Sequence, residues 1–116
     1  MTDEAKGNCY QEAADMVVDL VMFGQVDPNS IKLVHGIPTL TRPPYIRFGH
    51  AWVEVNETFV MDAASGAGFP RDEYYRAGNI DPDECFYYDY SAVKKYLLEY
   101  GHYGPWEGPE AEAPIV

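Results

Sequence analysis

From Asn8 onward, apolar residues return every three or four positions. Ala13, Met16, Val17, Leu20 and Val21 fall on one stripe of "NCYQEAADMVVDLVM", the spacing of a helix with one buried face. Asn8 stands where an N-cap belongs, Gln11 follows three residues later as in a capping box, and Gly24 supplies the stop. Cys9 is thereby expected at the first helical position. "DPNS" then predicts a turn and "IKLVHG" a short strand. "IPTLTRPPY" holds three prolines, which a central strand does not tolerate, so it reads as a loop.

The period then changes from 3.6 to 2. In "HAWVEV", Val53 and Val55 alternate with Trp52 and Glu54. In "FVMD", Phe59 and Met61 alternate with Val60 and Asp62. With residues 56–58 as the turn, Val55 faces Phe59 and Val53 faces Met61, a hairpin of two half-buried strands. That register also pairs Trp52 with Asp62 and sets His50 on their face, diagonal to Asp62. A slip of one residue would part the two and break the apolar pairing as well. The turn contains no glycine, which leaves its type open.

Beyond the hairpin, "PRDEYYRAG" predicts a short helix with Pro70 at its start, acids in its first turn and Gly78 at its end. "ECFYYDY" reads as an aromatic strand. "SAVKKYLLEYG" reads as a helix capped by Ser91, presenting Val93, Tyr96, Leu97 and Tyr100, and stopped by Gly101. His102 and Trp106 are expected to pin the end of that helix to the core. Residues 107–116 are rich in Pro, Glu and Ala and read as a disordered tail, leaving residues 1–106 as a single domain. Helices segregated around an antiparallel sheet make the fold class α+β, with the N-terminal helix carrying Cys9.

Charge narrows the function classes. Eight basic residues against nineteen acidic ones leave a formal charge of -11, which argues against direct binding to a nucleic-acid backbone. It suits a basic partner, so a binding or inhibitory protein directed at a basic surface is one reading. The acids are spread over many elements, which also fits a simple role in solubility. No apolar run is long enough for a membrane span, and the polar start "MTDEAKGN" is not expected to act as a signal peptide, so a cytoplasmic location is expected. Neither Cys9 nor Cys85 belongs to a Cys-x-x-Cys pair, and the three His lack zinc-ligand spacing, so neither a metal nor a cofactor is expected.

The chemistry that can be read concerns Cys9, His50 and Asp62. A thiol at a helix N-terminus sits at the positive end of the macrodipole, and an imidazolium beside it favours the nucleophilic thiolate. A carboxylate on the far ring nitrogen fixes the tautomer of the imidazole. The plainer alternatives are a cysteine that is only a small buried hydrophobe, a histidine with a local hydrogen bond, and an aspartate that caps a turn. The Cys9 backbone N–H is one oxyanion donor, with Asn8, Tyr10 and Gln11 as side-chain candidates. Trp52, Tyr74 and Tyr75 are candidates for a substrate groove, or for packing. His35 in "LVHG" is a rival base without a carboxylate at hairpin spacing. Cys85 is expected to be buried and inert. No Gly-x-Ser-x-Gly elbow supports a serine hydrolase.

"GNCYQEA", "GHAWVEV" and "VMDAASG" resemble, in order and setting, the three motifs of the transglutaminase-like group of the papain-like cysteine superfamily. The resemblance implies Cys9 as nucleophile, His50 as general base and acid, and Asp62 as orienting carboxylate. It implies a thiol-dependent hydrolase or acyl transferase acting on an amide: a protease, a glutamine deamidase or a transglutaminase-type enzyme with a protein or peptide substrate. The pattern is also similar to that of small phage-encoded proteins that share "NCY", "LVHG", "HAWVE" and "HYGPW". Two departures stand out. Asp62 is followed by Ala63 and Ala64 rather than by Pro or Thr, and Tyr10 replaces a Trp next to the nucleophile.

Overall fold

Five strands form one antiparallel sheet in the order β4-β3-β2-β1-β5 in a computed structural model that describes residues 8–106, the side chain of Asn8 excepted. The elements run α1 (Asn8–Met22), β1 (Ile31–Gly36), β2 (His50–Val55), β3 (Phe59–Asp62), β4 (Ala67–Pro70), α2 (Arg71–Ala77), β5 (Phe86–Asp89) and α3 (Tyr90–Tyr100). The α+β class follows directly. No described helix is long and apolar enough to cross a membrane. The expected tail, residues 107–116, lies outside the described residues.

Helix α1 ends as its glycine indicates. Gly24 is left-handed at φ +72°, its N–H bonds Val21 O, and the N–H of Gln25 bonds Leu20 O, the two bonds of a Schellman motif. "DPNS" closes as one 3-10 turn, Pro28–Ser30, with the Asp27 side chain accepting from the Asn29 N–H. Helix α3 differs from expectation at its start. The cap is Asp89, whose carboxylate accepts from Ala92 N–H at 2.8 Å, and Ser91 lies inside the helix. Asp89 is also the last residue of β5, so a single side chain ends the strand and opens the helix.

The hairpin has the expected register: Val53 opposite Met61, Glu54 opposite Val60 and Val55 opposite Phe59. Asn56 and Glu57 both take positive φ, 56° and 61°, and Thr58 N–H closes on Val55 O, the two left-handed residues of a type I′ turn. Asn accepts that conformation readily; Glu does so at a cost.

The expectation of half-buried strands is corrected. β2 is covered on both faces, because α1 and α3 pack on one and α2 on the other. On the first face Ala13, Ala14 and Val17 of α1 meet Leu33, Ala51 and Val53. On the second, Val34, Trp52 and Val60 meet Tyr75 and Ile80. Strand β4 is an addition to the sequence reading. "AGFP" contains a glycine and a proline, poor strand formers, but Gly68 lies opposite Met61 and Pro70 opposite Phe59 at the free edge of the sheet. A Cβ on Gly68 would come within 2.6 Å of the Phe59 ring, so the glycine makes room for an aromatic side chain lying across the edge.

The second face is tied together by Glu54. Its buried carboxylate accepts from Trp52 Nε1 at 3.1 Å, from Arg71 Nε at 3.0 Å and from the Tyr75 hydroxyl. Arg71 lies over the Tyr75 ring and also donates to Tyr87 Oη at 3.1 Å. A charge buried this deeply is tolerable only with such partners. Together they fasten α2 to β2 and β5.

Candidate active site

His50 opens β2 and Asp62 ends β3, and the register brings them to one end of the second face. His50 Nε2 is 3.1 Å from Asp62 Oδ2, and both side chains are about nine-tenths buried, with relative exposures of 12% and 10%. Asp62 Oδ2 also accepts from the Tyr74 hydroxyl at 2.7 Å. Its other oxygen accepts backbone N–H groups from Ala64 at 3.0 Å and Ser65 at 3.4 Å. "DAASG" is thus a turn folded around its own aspartate. Burial alone would raise the pKa of Asp62. The hydrogen bond and charge of His50, with the Tyr74 and Ser65 bonds, outweigh it and hold the group below the usual carboxylate value.

Cys9 reaches the same place from the opposite layer. Helix α1 packs on the first face, and its N-terminal turn carries the thiol past the end of β2 to His50. Burial pushes the imidazole pKa down. Hydrogen bonds to Asp62 and to Cys9, with the charges of both, override this and lift it to about 9. With Nε2 taken by Asp62, Nδ1 is the nitrogen left for sulfur. At neutral pH His50 is therefore an imidazolium between a carboxylate and the Cys9 sulfur. Cys9 keeps 9% of its surface, and neither it nor Cys85 is in a disulfide.

Two rings back the imidazole. Trp52 lies tilted 33° to His50 with centroids 5.9 Å apart, and Phe48 lies at 5.7 Å. Trp52 is wholly buried and locked by Glu54, so it walls the site from behind and presents no surface to a substrate. Tyr10 is likewise a core side chain, edge-on to His35 at 4.9 Å, and Gln11 is exposed and hydrogen-bonded to Asp15. The Asn8 side chain lies outside the described residues. The Cys9 backbone N–H belongs to the first turn of α1, where such groups have no intrahelical acceptor.

Tyr74 is the member whose role the sequence reading did not assign. Its sequence setting suggests only a groove or packing residue, but α2 brings its hydroxyl onto Asp62. Its own pKa is driven well above the ordinary tyrosine value by burial and by the Asp62 charge, so it stays a donor. The "YY" pair divides its work: Tyr74 serves Asp62 and Tyr75 serves Glu54.

His35 does not rival His50. It faces the first layer, fully buried among Tyr10, Tyr88 and Trp106, with no hydrogen-bond partner at either nitrogen among the described residues, and burial pushes its pKa down to about 3. Trp106 packs on this ring and donates to His102 O at 2.9 Å; that contact, with rings at Tyr88 and Tyr96, pins the segment after α3. Cys85 precedes β5, half-buried, with its thiol on Asp81 O at 3.5 Å and its pKa raised by burial to about 11, the condition of an unreactive thiol.

A cavity of about 340 Å³ opens beside the imidazole, with His50, Asp62, Phe48, Phe69, Glu73 and Tyr74 in its wall. Among the described residues no group of three or more His, Cys, Asp or Glu could hold a metal ion. No protein-family model matches this chain, and comparison with curated proteins and with solved structures gives no significant match.

Proposed function

We propose that the protein is a thiol-dependent hydrolase or acyl transferase acting on amides, with Cys9 as nucleophile, His50 as proton carrier and Asp62 as the carboxylate that orients it. The observation that carries this reading is the position of His50, bonded to Asp62 at 3.1 Å through Nε2 and close enough to Cys9 for the two to interact electrostatically. The order and setting of the three residues favour a transglutaminase-like site on a papain-like core.

In this reading His50 holds the proton of the Cys9 thiol, and the resulting thiolate attacks the amide carbonyl, the new C–S bond giving a tetrahedral oxyanion facing the Cys9 N–H. As that intermediate collapses, the C–N bond breaks and the His50 proton passes to the departing amine. Water or another amine then attacks the thioester, His50 takes up its proton, and the acyl group leaves as an acid or a new amide. Proteolysis, glutamine deamidation and crosslinking share these steps and differ in what enters and leaves. Asp62 keeps Nε2–H directed at itself and stabilises the imidazolium, and Tyr74 holds that carboxylate in place.

The test is the rate of Cys9 alkylation by iodoacetamide across pH, with alkylation sites assigned by mass spectrometry. Reaction faster than free cysteine below pH 7, abolished in His50→Ala, is the expected result. A rate that follows free cysteine and ignores His50→Ala refutes the proposal.

A further inference from the structure

The cavity beside His50 has a position, a surface and a charge, and the three agree on one kind of occupant. Its wall includes His50 and Asp62 but not Cys9, so it opens on the acid–base side of the sulfur. That is the side on which a departing amine collects its proton. Pro38, Phe48, Phe69 and Tyr74 make most of the wall apolar, and the volume of about 340 Å³ holds one long side chain. Glu73 stands in the same wall, exposed, with no ion-pair or hydrogen-bond partner among the described residues. Among the described residues no lysine or arginine lines the space, and the positive charge of His50 is balanced by Asp62. An aliphatic stem can lie on the aromatic rings and end in a cation at the free carboxylate.

We infer that this cavity selects a lysine or arginine side chain on the leaving-group side of the scissile amide. The inference rests on the thiol-enzyme reading above and adds its substrate class. An acidic residue there meets Glu73 with like charge, and a small one leaves the aromatic wall uncovered. The net charge of -11 acts in the same direction, drawing basic segments toward the surface.

The probes are the iodoacetyl amides of arginine amide, leucine amide and glutamic acid amide, with plain iodoacetamide as reference. Each places its residue on the amide nitrogen, the leaving-group position, while its methylene carbon meets the sulfur. The expected order of Cys9 alkylation is arginine over leucine over glutamate, with roughly tenfold between the extremes from one attractive and one repulsive charge contact. Glu73→Gln, an exposed change, should bring arginine and leucine within about twofold of each other. Ala77→Trp, which fills the cavity from α2, should level the series. If iodoacetamide itself gains nothing from His50, the underlying reading falls and this one with it. If that gain is present, equal rates for the three probes, or an arginine preference that survives Glu73→Gln, overturns the assignment of the cavity alone.

Discussion

Asp62→Asn is the sharpest perturbation of the site, because it removes a charge while keeping the shape. In the folded protein the imidazole of His50 is lifted to about 9 from an ordinary value of 6.5, with Asp62 and Cys9 as the groups that raise it and burial opposing them. A folded pKa above the unfolded one stabilises the native state fully below pH 6.5, and the gain is lost as pH rises through about 9. That difference corresponds to about 3 kcal/mol below pH 6.5, somewhat less at pH 7. Asparagine takes away the Asp62 share, and burial then drives the imidazole toward or below 6.5. The assay is NMR titration of the His50 ring, run beside urea unfolding at pH 6 and pH 10. The wild-type protein should lose stability between those pH values, and Asp62→Asn should lose much less. A His50 titrating near 6.5 in the wild type, or unmoved by the substitution, would refute the reasoning.

Four further outcomes test the fold around the site. His35 is buried neutral with its pKa near 3, so the unfolded chain takes up its proton first and stability falls as pH drops from 6.5 toward 3; urea titrations of His35→Leu should show a flatter acid limb. Glu54→Ala strands the guanidinium of Arg71 and two other donors and should cost about 3–5 kcal/mol by chemical denaturation, with Glu54→Gln costing less. Asp89→Ala should cost about 1 kcal/mol through the lost cap, whereas Ser91→Ala should change stability by less than about 0.5 kcal/mol. Glu57→Gly relieves a left-handed residue and should raise the thermal midpoint by a few degrees, for a gain of about 0.5–1 kcal/mol.

Periodicity carried the hairpin, because Val53, Val55, Phe59 and Met61 satisfy only one register, and that register fixes His50 against Asp62. Glycines carried the helix ends where one residue does one job, as Gly24 and Gly101 do, whereas Asn8, expected as a cap, is itself the first residue of α1. Elements were missed where local preference and tertiary context disagree. "AGFP" has little intrinsic tendency to extend, and it does so because β3 offers it an edge. Ser91 looks like a cap to any local rule, but the strand end at Asp89 delivers a carboxylate two residues earlier. The second covered face was hidden for a related reason. Trp52 and Glu54 alternate as exposed positions would, and only α2, folding back with Arg71 and Tyr75, turns them inward. The role of Tyr74 was hidden in the same way, since nothing near it in the chain points to Asp62.

The Cys9 sulfur and the His50 ring arrive from opposite sides of the sheet, one on the opening turn of α1 and the other at the start of β2. In the proposed reaction the opening turn of α1, anchored by the buried Tyr10, is what holds the sulfur at the imidazole. Peeling that turn away would leave the imidazole, its carboxylate and the entire sheet intact while separating the sulfur from them. On the proposed mechanism, displacing that one turn would stop the reaction without unfolding the sheet.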